Sequence, residues 1–293
     1  MNAGPDSGAF RKAIITVTWL WLGAFALVPN LALLLVALLD RGEETFFIPL
    51  FTLKNFAALF TPAFLTVLWD SLSLAALSTL VCLLAGYPFA YWLAKAPPRR
   101  RPLLLLLVII PFWTNSLIRT YALILILGAQ GMINKFLLAA GLIAAPLEIM
   151  YTDLAVFIGL SYTLLPFMVL PLYASIEKLD PNLSAAARDL GASSLRAFWR
   201  ITLPLTLPGV VAGCMLVFLP SLGYFYVPEI LGGSTNMLLG TYIKNQFLVA
   251  RNWPLGAAAS SVLTILLALM AGLYRLASLR AGEKERTGKL GDA

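Results

Sequence analysis

Six apolar runs, at 14–39, 66–94, 103–127, 152–176, 205–230 and 257–277, alternate along the chain with short segments rich in charge, glycine or proline. Each run reaches the roughly 20 residues an α-helix needs to cross the hydrocarbon layer of a bilayer. The pattern predicts an all-α integral membrane protein, with residues 1–293 forming a single transmembrane domain of six spans. The first run follows Arg11-Lys12 as a signal peptide would, but it is too long and lacks a small-residue cleavage site before the next loop, so it reads as a retained span. Six crossings put both termini on one side. The connections near 40–65, 128–151 and 231–256 are long and rich in glycine, proline and aromatics; they fit either short re-entrant or surface helices or plain loops. No internal repeat is visible, and 283–293 reads as a mobile polar tail.

The polar segment 178–203, between the fourth and fifth runs, has a different periodicity and predicts two short helices joined at a glycine. Asp180 stands before Pro181 as an N-cap stands before a first-turn proline. Gly191 sits where a helix ends on a residue of positive φ, and Ser193 or Ser194 can cap the next helix. Leu183, Ala187 and Leu190 fall on one face of the first helix, and Arg196 and Arg200 share a face of the second.

Composition agrees with the pattern. Hydrophobic residues make up 60% of the chain and charged residues 12%, about half the charge of an ordinary soluble domain. The net charge of +7 would suggest nucleic acid in a soluble protein, but the basic residues are unevenly placed. With the N-terminus in the cytoplasm, fifteen lie in inside segments (Arg11, Lys12; Lys95, Arg99, Arg100, Arg101; Lys178, Arg188, Arg196, Arg200; Arg275, Arg280, Lys284, Arg286, Lys289). Five lie outside (Arg41, Lys54, Lys135, Lys244, Arg251), and Arg119 lies within a span. The positive-inside rule thus orients the chain with both termini and the 178–203 loop in the cytoplasm.

Several chemistries are excluded. Without histidine there is no Ser-His pair, no imidazole metal site and no imidazole relay. Cys82 and Cys214 lie in apolar runs and read as small buried hydrophobes. No Gly-x4-Gly-Lys-Ser/Thr loop occurs, since Gly288-Lys289 is followed by Leu290, so the chain cannot cradle ATP phosphates.

The order Ala185-Ala186, three residues, Gly191, nine residues, Ile201, one residue, Leu203-Pro204 resembles the signature loop of the membrane-spanning subunits of bacterial ABC importers. Other segments, in order, resemble the spermidine/putrescine importer permeases and most of all their B subunit. These are Gly86-Tyr87-Pro88-Phe89-Ala90 with Leu93-Ala94-Lys95, the run from Pro111-Phe112-Trp113 to Arg119, and Leu165-Pro166-Phe167 through Tyr173. Ser175-Ile176-Glu177-Lys178-Leu179-Asp180, Gly213-Cys214-Met215 through Pro220, and Asn252-Trp253-Pro254-Leu255-Gly256-Ala257 complete the set. The likeness covers nearly all of 14–280.

The resemblance implies a type I ABC importer permease of the bacterial inner membrane whose cytoplasmic two-helix loop docks on an ATPase. Its coupling residues would be Ala185, Ala186, Ala187, Asp189, Gly191, Ala192, Ile201, Leu203 and Pro204. The signature's first position, glutamate in most relatives, is Ala185 here, and Asp189 one turn on can present a carboxylate from the same face. The implied partners are an ABC ATPase dimer, a second homologous permease and an extracytoplasmic polyamine-binding protein. The chain would bind no cofactor itself; ATP and Mg would be used by the partner ATPase.

Aromatics near a carboxylate are the candidates for a cation path: Trp113, Tyr224, Tyr226 and Glu229. Core packing is the competing role for each. Arg119, which costs about 2.5 to 3.5 kcal/mol at the centre of a span, is expected to pair with Asp153 or Glu229. Gly209 and Gly213 form a GxxxG pair, expected to pack within the chain. Tyr87, Phe89, Tyr91 and Trp92, followed by Lys95, read as an interfacial belt with a snorkelling lysine. Two alternatives keep part of this picture: an importer permease for another small solute, and a secondary transporter driven by an ion gradient. The second would need intramembrane acids or histidines, which are scarce.

Overall fold

The computed structural model describes residues 6–42, 45–233 and 237–291. It divides into two compact units, one made of 1–65 with 243–268 and the other of 66–242 with 269–293. Among the described residues six helical stretches are long and apolar enough to cross a membrane: Phe10–Ala37, Pro62–Lys95, Ser116–Ala139, Asp153–Glu177, Ser194–Gly223 and Trp253–Gly272.

In the first unit, α1 (Asp6–Leu22) runs through a π-helical stretch, Gly23–Leu27, into α2 (Val28–Ala37). The following connection is folded, not plain loop. Strand β1 (Leu39–Asp40) pairs antiparallel with β2 (Ile48–Phe51), and α3 (Lys54–Ala58) follows. The buried Asn55 amide donates to the carbonyls of Ala37 at 2.9 Å and Leu39 at 2.8 Å, satisfying the end of α2. Lys54 pairs with Asp40 at 3.7 Å. Arg41 donates to the Ala250 carbonyl at 3.1 Å, and Phe46 stacks on Trp253 with ring centres 4.7 Å apart.

The second unit holds α4 (Pro62–Lys95) from residue 66 onward, α5 (Arg101–Trp113), α6 (Ser116–Leu127), α7 (Met132–Ala139), α8 (Asp153–Glu177), α9 (Pro181–Asp189), α10 (Ser194–Ala197), α11 (Leu203–Gly223) and α12 (Tyr226–Gly232). Two further helices carry residues of both units: α13 (Leu239–Leu248) and α14 (Trp253–Gly291).

The centre of this unit is α8 against α11. Lipid tails are as apolar as leucine, so spans associate through close packing of small residues, not through exclusion from water. Gly209 and Gly213 supply that closeness within the chain, as expected. A Cβ on Gly209 would lie 2.9 Å from the Pro171 carbonyl oxygen, and one on Gly213 would lie 2.7 Å from the Met168 sulfur. Leu160, Leu164, Met168 and Leu172 on α8 are fully buried, with Val217 of α11 and Leu231 of α12. Cys82 and Cys214 are free thiols in this apolar setting.

Four expectations are corrected. The third run, 103–127, is not one helix: it breaks at Thr114, which is extended, and α6 starts afresh with the Asn115 side chain accepting from Leu117 N–H at 2.8 Å. The halves have 13 and 12 residues, about 20 and 18 Å; the second reaches crossing length only by running on through α7 as the stretch Ser116–Ala139, and the first does not reach it. The fifth run starts earlier and ends earlier than 205–230, with α11 stopping at Gly223 and α12 forming separately. Tyr87 is no belt residue; it is buried and shares a 2.7 Å hydrogen bond with Thr206, while Lys95 does lie over the Tyr91 ring at 4.1 Å. Finally, the segment read as a tail continues α14 as far as Gly291.

Candidate functional site

The loop after α8 is organised by local backbone chemistry. Asp180 caps α9, its carboxylate accepting from Asn182 N–H at 2.9 Å, and Pro181 takes the first helical position, where no N–H is needed. The helix closes on Gly191 at φ +83°. Gly191 N–H bonds the Arg188 carbonyl and Ala192 N–H bonds the Ala187 carbonyl, both at 2.9 Å. These two bonds make a Schellman motif, which turns the chain sharply and uses up carbonyls the helix end would leave unpaired.

The second half of the loop departs from expectation. Ser193 caps α10 by accepting from Arg196 N–H at 3.3 Å, but α10 does not end as a separate helix. It passes through a π-helical stretch, Phe198–Thr202, directly into α11, so Ser194–Gly223 is one 30-residue helical stretch. Pro204 is the physical reason. Its ring conflicts with the carbonyl four residues back and it has no N–H to give, so the helix widens by one residue instead of stopping, and Leu203 N–H reaches the Phe198 carbonyl.

Of the residues singled out in this loop, Ala186, Asp189 and Gly191 are exposed. Ala185, Ala187 and Ala192 are half-buried. Ile201 and Leu203 are half-buried in and just after the π-helical stretch, and Pro204 is exposed. Leu190 is 90% exposed, and Leu183, Leu195 and Trp199 are also exposed, so the loop presents apolar groups together with Asp189. Beneath it lies a cavity of about 460 Å³ lined by Tyr91, Lys95, Arg101, Glu177, Asp180 and Arg188. Arg101 pairs with Glu177 at 3.4 Å and donates through Nε to the Ala96 carbonyl at 2.7 Å, tying the start of α5 to the end of α8. In the sequence Arg101 is marked only as one of the inside cations. Its pairing with Glu177 joins residues 76 apart and leaves no local signal.

The candidate path residues are only partly brought together. Tyr224 caps α11, and its ring meets that of Tyr226, at the start of α12, edge-on with centres 5.4 Å apart. Glu229 is exposed one turn further along α12. Trp113 is 75% exposed at the last position of α5, and among the described residues no ring contact joins it to the tyrosine pair.

Arg119 is buried in α6, and the expected pairing does not occur: no carboxylate among the described residues lies within salt-bridge distance of it. Its guanidinium instead sits 6.0 Å from the centre of the Phe112 ring. Asn134 is a further residue missed in sequence. Fully buried on α7, it donates to the carbonyls of Gly128 at 3.0 Å and Leu147 at 2.9 Å and accepts from Leu147 N–H at 2.7 Å, pinning the 128–151 connection.

A chain of membrane-spanning helices, with a capped loop set across the ends of its spans, defines a class, and comparison with known proteins agrees. Residues 86–281 match the family described as the binding-protein-dependent transport system inner membrane component, and the chain belongs to that family. It is 52% identical over 271 residues to the spermidine/putrescine transport system permease protein PotB of Escherichia coli K12, covering 92% of this chain and 98% of that protein. It is 49% identical over 265 residues to the protein of the same name from Haemophilus influenzae, covering 90% and 93%. Among solved structures it shares the fold of a chain of a bacterial alginate ABC transporter in complex with alginate pentasaccharide-bound periplasmic protein. That match has a TM-score of 0.75 at 18% identity and covers 94% of this chain and 96% of that one.

Proposed function

We propose that this chain is the permease subunit of an ATP-driven importer of polyamines, spermidine or putrescine, and that the whole of 1–293 works as one permease domain forming half of the translocation path. The observation that carries the cargo is the identity of about half over nine-tenths of the chain to permeases named for spermidine and putrescine. The coupling role is supported by the loop itself, where a Schellman turn at Gly191 holds Asp189, Leu190 and Trp199 out from the spans.

In this reading the basic ends of the spans and both termini face the cytoplasm, by the fifteen-to-five distribution of lysine and arginine. An ABC ATPase dimer, which uses ATP and Mg, docks on the loop through Ala185 to Ala192 and the helix from Ile201 to Pro204. A second homologous permease completes the path, and an extracytoplasmic binding protein delivers the cargo. The ATPase dimer binds the two conformations of the permease pair with different affinity, and that difference is what drives alternation between outward and inward openings. Trp113, Tyr224, Tyr226 and Glu229 supply spaced, weak contacts for a flexible polycation, cation–π interactions being about 0.5 to 2 kcal/mol each.

The test is reconstitution of the chain with the ATPase, second permease and binding protein in sealed vesicles. ATP with binding protein should drive uptake of labelled spermidine or putrescine without any ion gradient. Uptake driven by a gradient in the absence of ATP, or ATP-driven uptake of some other solute only, would overturn the reading.

A further inference from the structure

Arg119 opens onto a cavity of about 220 Å³ whose lining includes Phe89 of α4, Leu107 and Pro111 of α5, and Tyr162 and Pro166 of α8. The arginine is 9% exposed, its Nε has no hydrogen-bond partner, and among the described residues it makes no ion pair. A guanidinium does not deprotonate in a protein, so this is a full positive charge in an apolar cavity with one distant ring face for company. An isolated buried charge is strongly unfavourable; charges at membrane depth pair with one another or with water-filled space. No carboxylate among the described residues lies within ion-pair distance of Arg119.

The position of the cavity's mouth identifies the source. Phe89, Leu107 and Tyr162 line the cavity and are themselves exposed on the outer faces of their helices. Phe89 is six residues from the Lys95 end of α4, Leu107 six from the Arg101 end of α5, and Tyr162 nine from the Asp153 end of α8. At 1.5 Å per residue Phe89 and Leu107 lie about 9 Å from the Lys95 and Arg101 ends, and Tyr162 about 22 Å from the Glu177 end on the same side, so the mouth runs along the spans within the hydrocarbon layer. Lipid tails offer no acceptor at that depth, and a dissolved anion would have to cross hydrocarbon to arrive. A neighbouring helix can carry one there.

We propose that the Arg119 cavity is an intersubunit site that receives a carboxylate side chain from a transmembrane helix of the second permease, forming an ion pair at membrane depth between the two halves. This rests on the importer reading above, which supplies the second permease. The pair would fix the register of the two halves, since an acid on the partner helix finds its cation at one depth only.

The experiment uses the complete importer, with the second permease recovered through a tag on this chain. Arg119→Gln should lower the second permease recovered by about tenfold, while Arg119→Lys, which keeps the charge, should stay within about twofold of the parent. Arg119→Asp should abolish uptake, and selection for restored growth on polyamine should yield a carboxylate-to-lysine change in a transmembrane helix of the second permease. If Arg119→Gln is absent from the membrane altogether, the charge-swapped pair and a labelling measurement decide instead. In the assembled complex an Arg119→Cys variant should react slowly with a membrane-impermeant cationic thiosulfonate. Full recovery of the second permease with Arg119→Gln, or rapid labelling of Arg119→Cys in the complex, would overturn the proposal, the second by placing the position on a water-filled route. Recovery of no second permease with the parent chain would overturn the importer reading as well, so the two failures are distinguishable.

Discussion

Replacing Gly191 by valine tests the loop through one dihedral angle. The residue sits at φ +83°, and a Cβ built there meets nothing within 4 Å, so the cost is not steric crowding by neighbours but handedness. A non-glycine residue in this region costs about 1 to 2 kcal/mol, and a β-branched one more. If the chain relaxes to negative φ instead, the bonds from Gly191 N–H and Ala192 N–H, both 2.9 Å, are lost at about 0.5 to 1.5 kcal/mol each. Either route puts the penalty at about 2 to 3 kcal/mol, a population shift of roughly 30- to 150-fold away from the docked geometry. The series should be graded by backbone preference, not by size: Gly191→Asn close to the parent, since asparagine tolerates the left-handed region, Gly191→Ala intermediate, and Gly191→Val lowest. The assay is co-purification of the ATPase and ATP-driven uptake at matched membrane levels, with insertion unchanged in all three. Wild-type coupled uptake by Gly191→Val would show that this turn does not set the docking geometry. A series ordered by side-chain volume would point to contacts on the partner instead.

Three other outcomes are expected. Ser193→Cys should be inaccessible to impermeant thiol reagents in intact cells and accessible in inverted vesicles; labelling in intact cells would refute both the topology and the docking role. Gly213→Leu, whose first side-chain atom would enter the Met168 sulfur 2.7 Å away, should lower the amount of folded protein in the membrane, and unchanged yield and thermal stability would contradict the α8–α11 packing. Trp113→Leu and Glu229→Gln should lower the maximal rate of polyamine uptake more than they shift the concentration at half-maximal rate, because a binding protein delivers the cargo; unchanged maximal rates in both would return these residues to packing roles.

The spans and the Gly191 turn were legible because each depends on residues close in sequence. Length and apolarity announce a span, and Asp180-Pro181 followed ten residues on by Gly191 announces a capped helix. The break in the third run was hidden by its apolar composition, although Pro111 and the cap at Asn115 marked the place. The second half of the loop departs from its sequence pattern for a related reason: Leu203-Pro204 looks like a helix start, but a π-turn lets the helix pass through the proline. The partner of Arg119 is not legible in the sequence because height along a span says nothing about which way a helix face is turned. Both Asp153 and Glu229 stood at plausible heights, yet α6 turns its arginine toward Phe112 and an apolar cavity. Pairings such as Arg101 with Glu177 and the bonds around Asn134 join separate segments, and only the fold brings those segments together.

The helical continuity of Ser194–Gly223 has a mechanical consequence. Thirty residues at 1.5 Å each make a rod of about 45 Å, with the Ser193 cap at one end and the Tyr224 ring at the other. A tilt of about 10° imposed at the loop moves the far end by about 8 Å, more than the 5.4 Å that separates the Tyr224 and Tyr226 ring centres. The only irregularities that can absorb such a tilt along the way are the π-turn and the prolines at 204, 208 and 220, so bending stiffness at those four places sets how much of the stroke reaches the tyrosines.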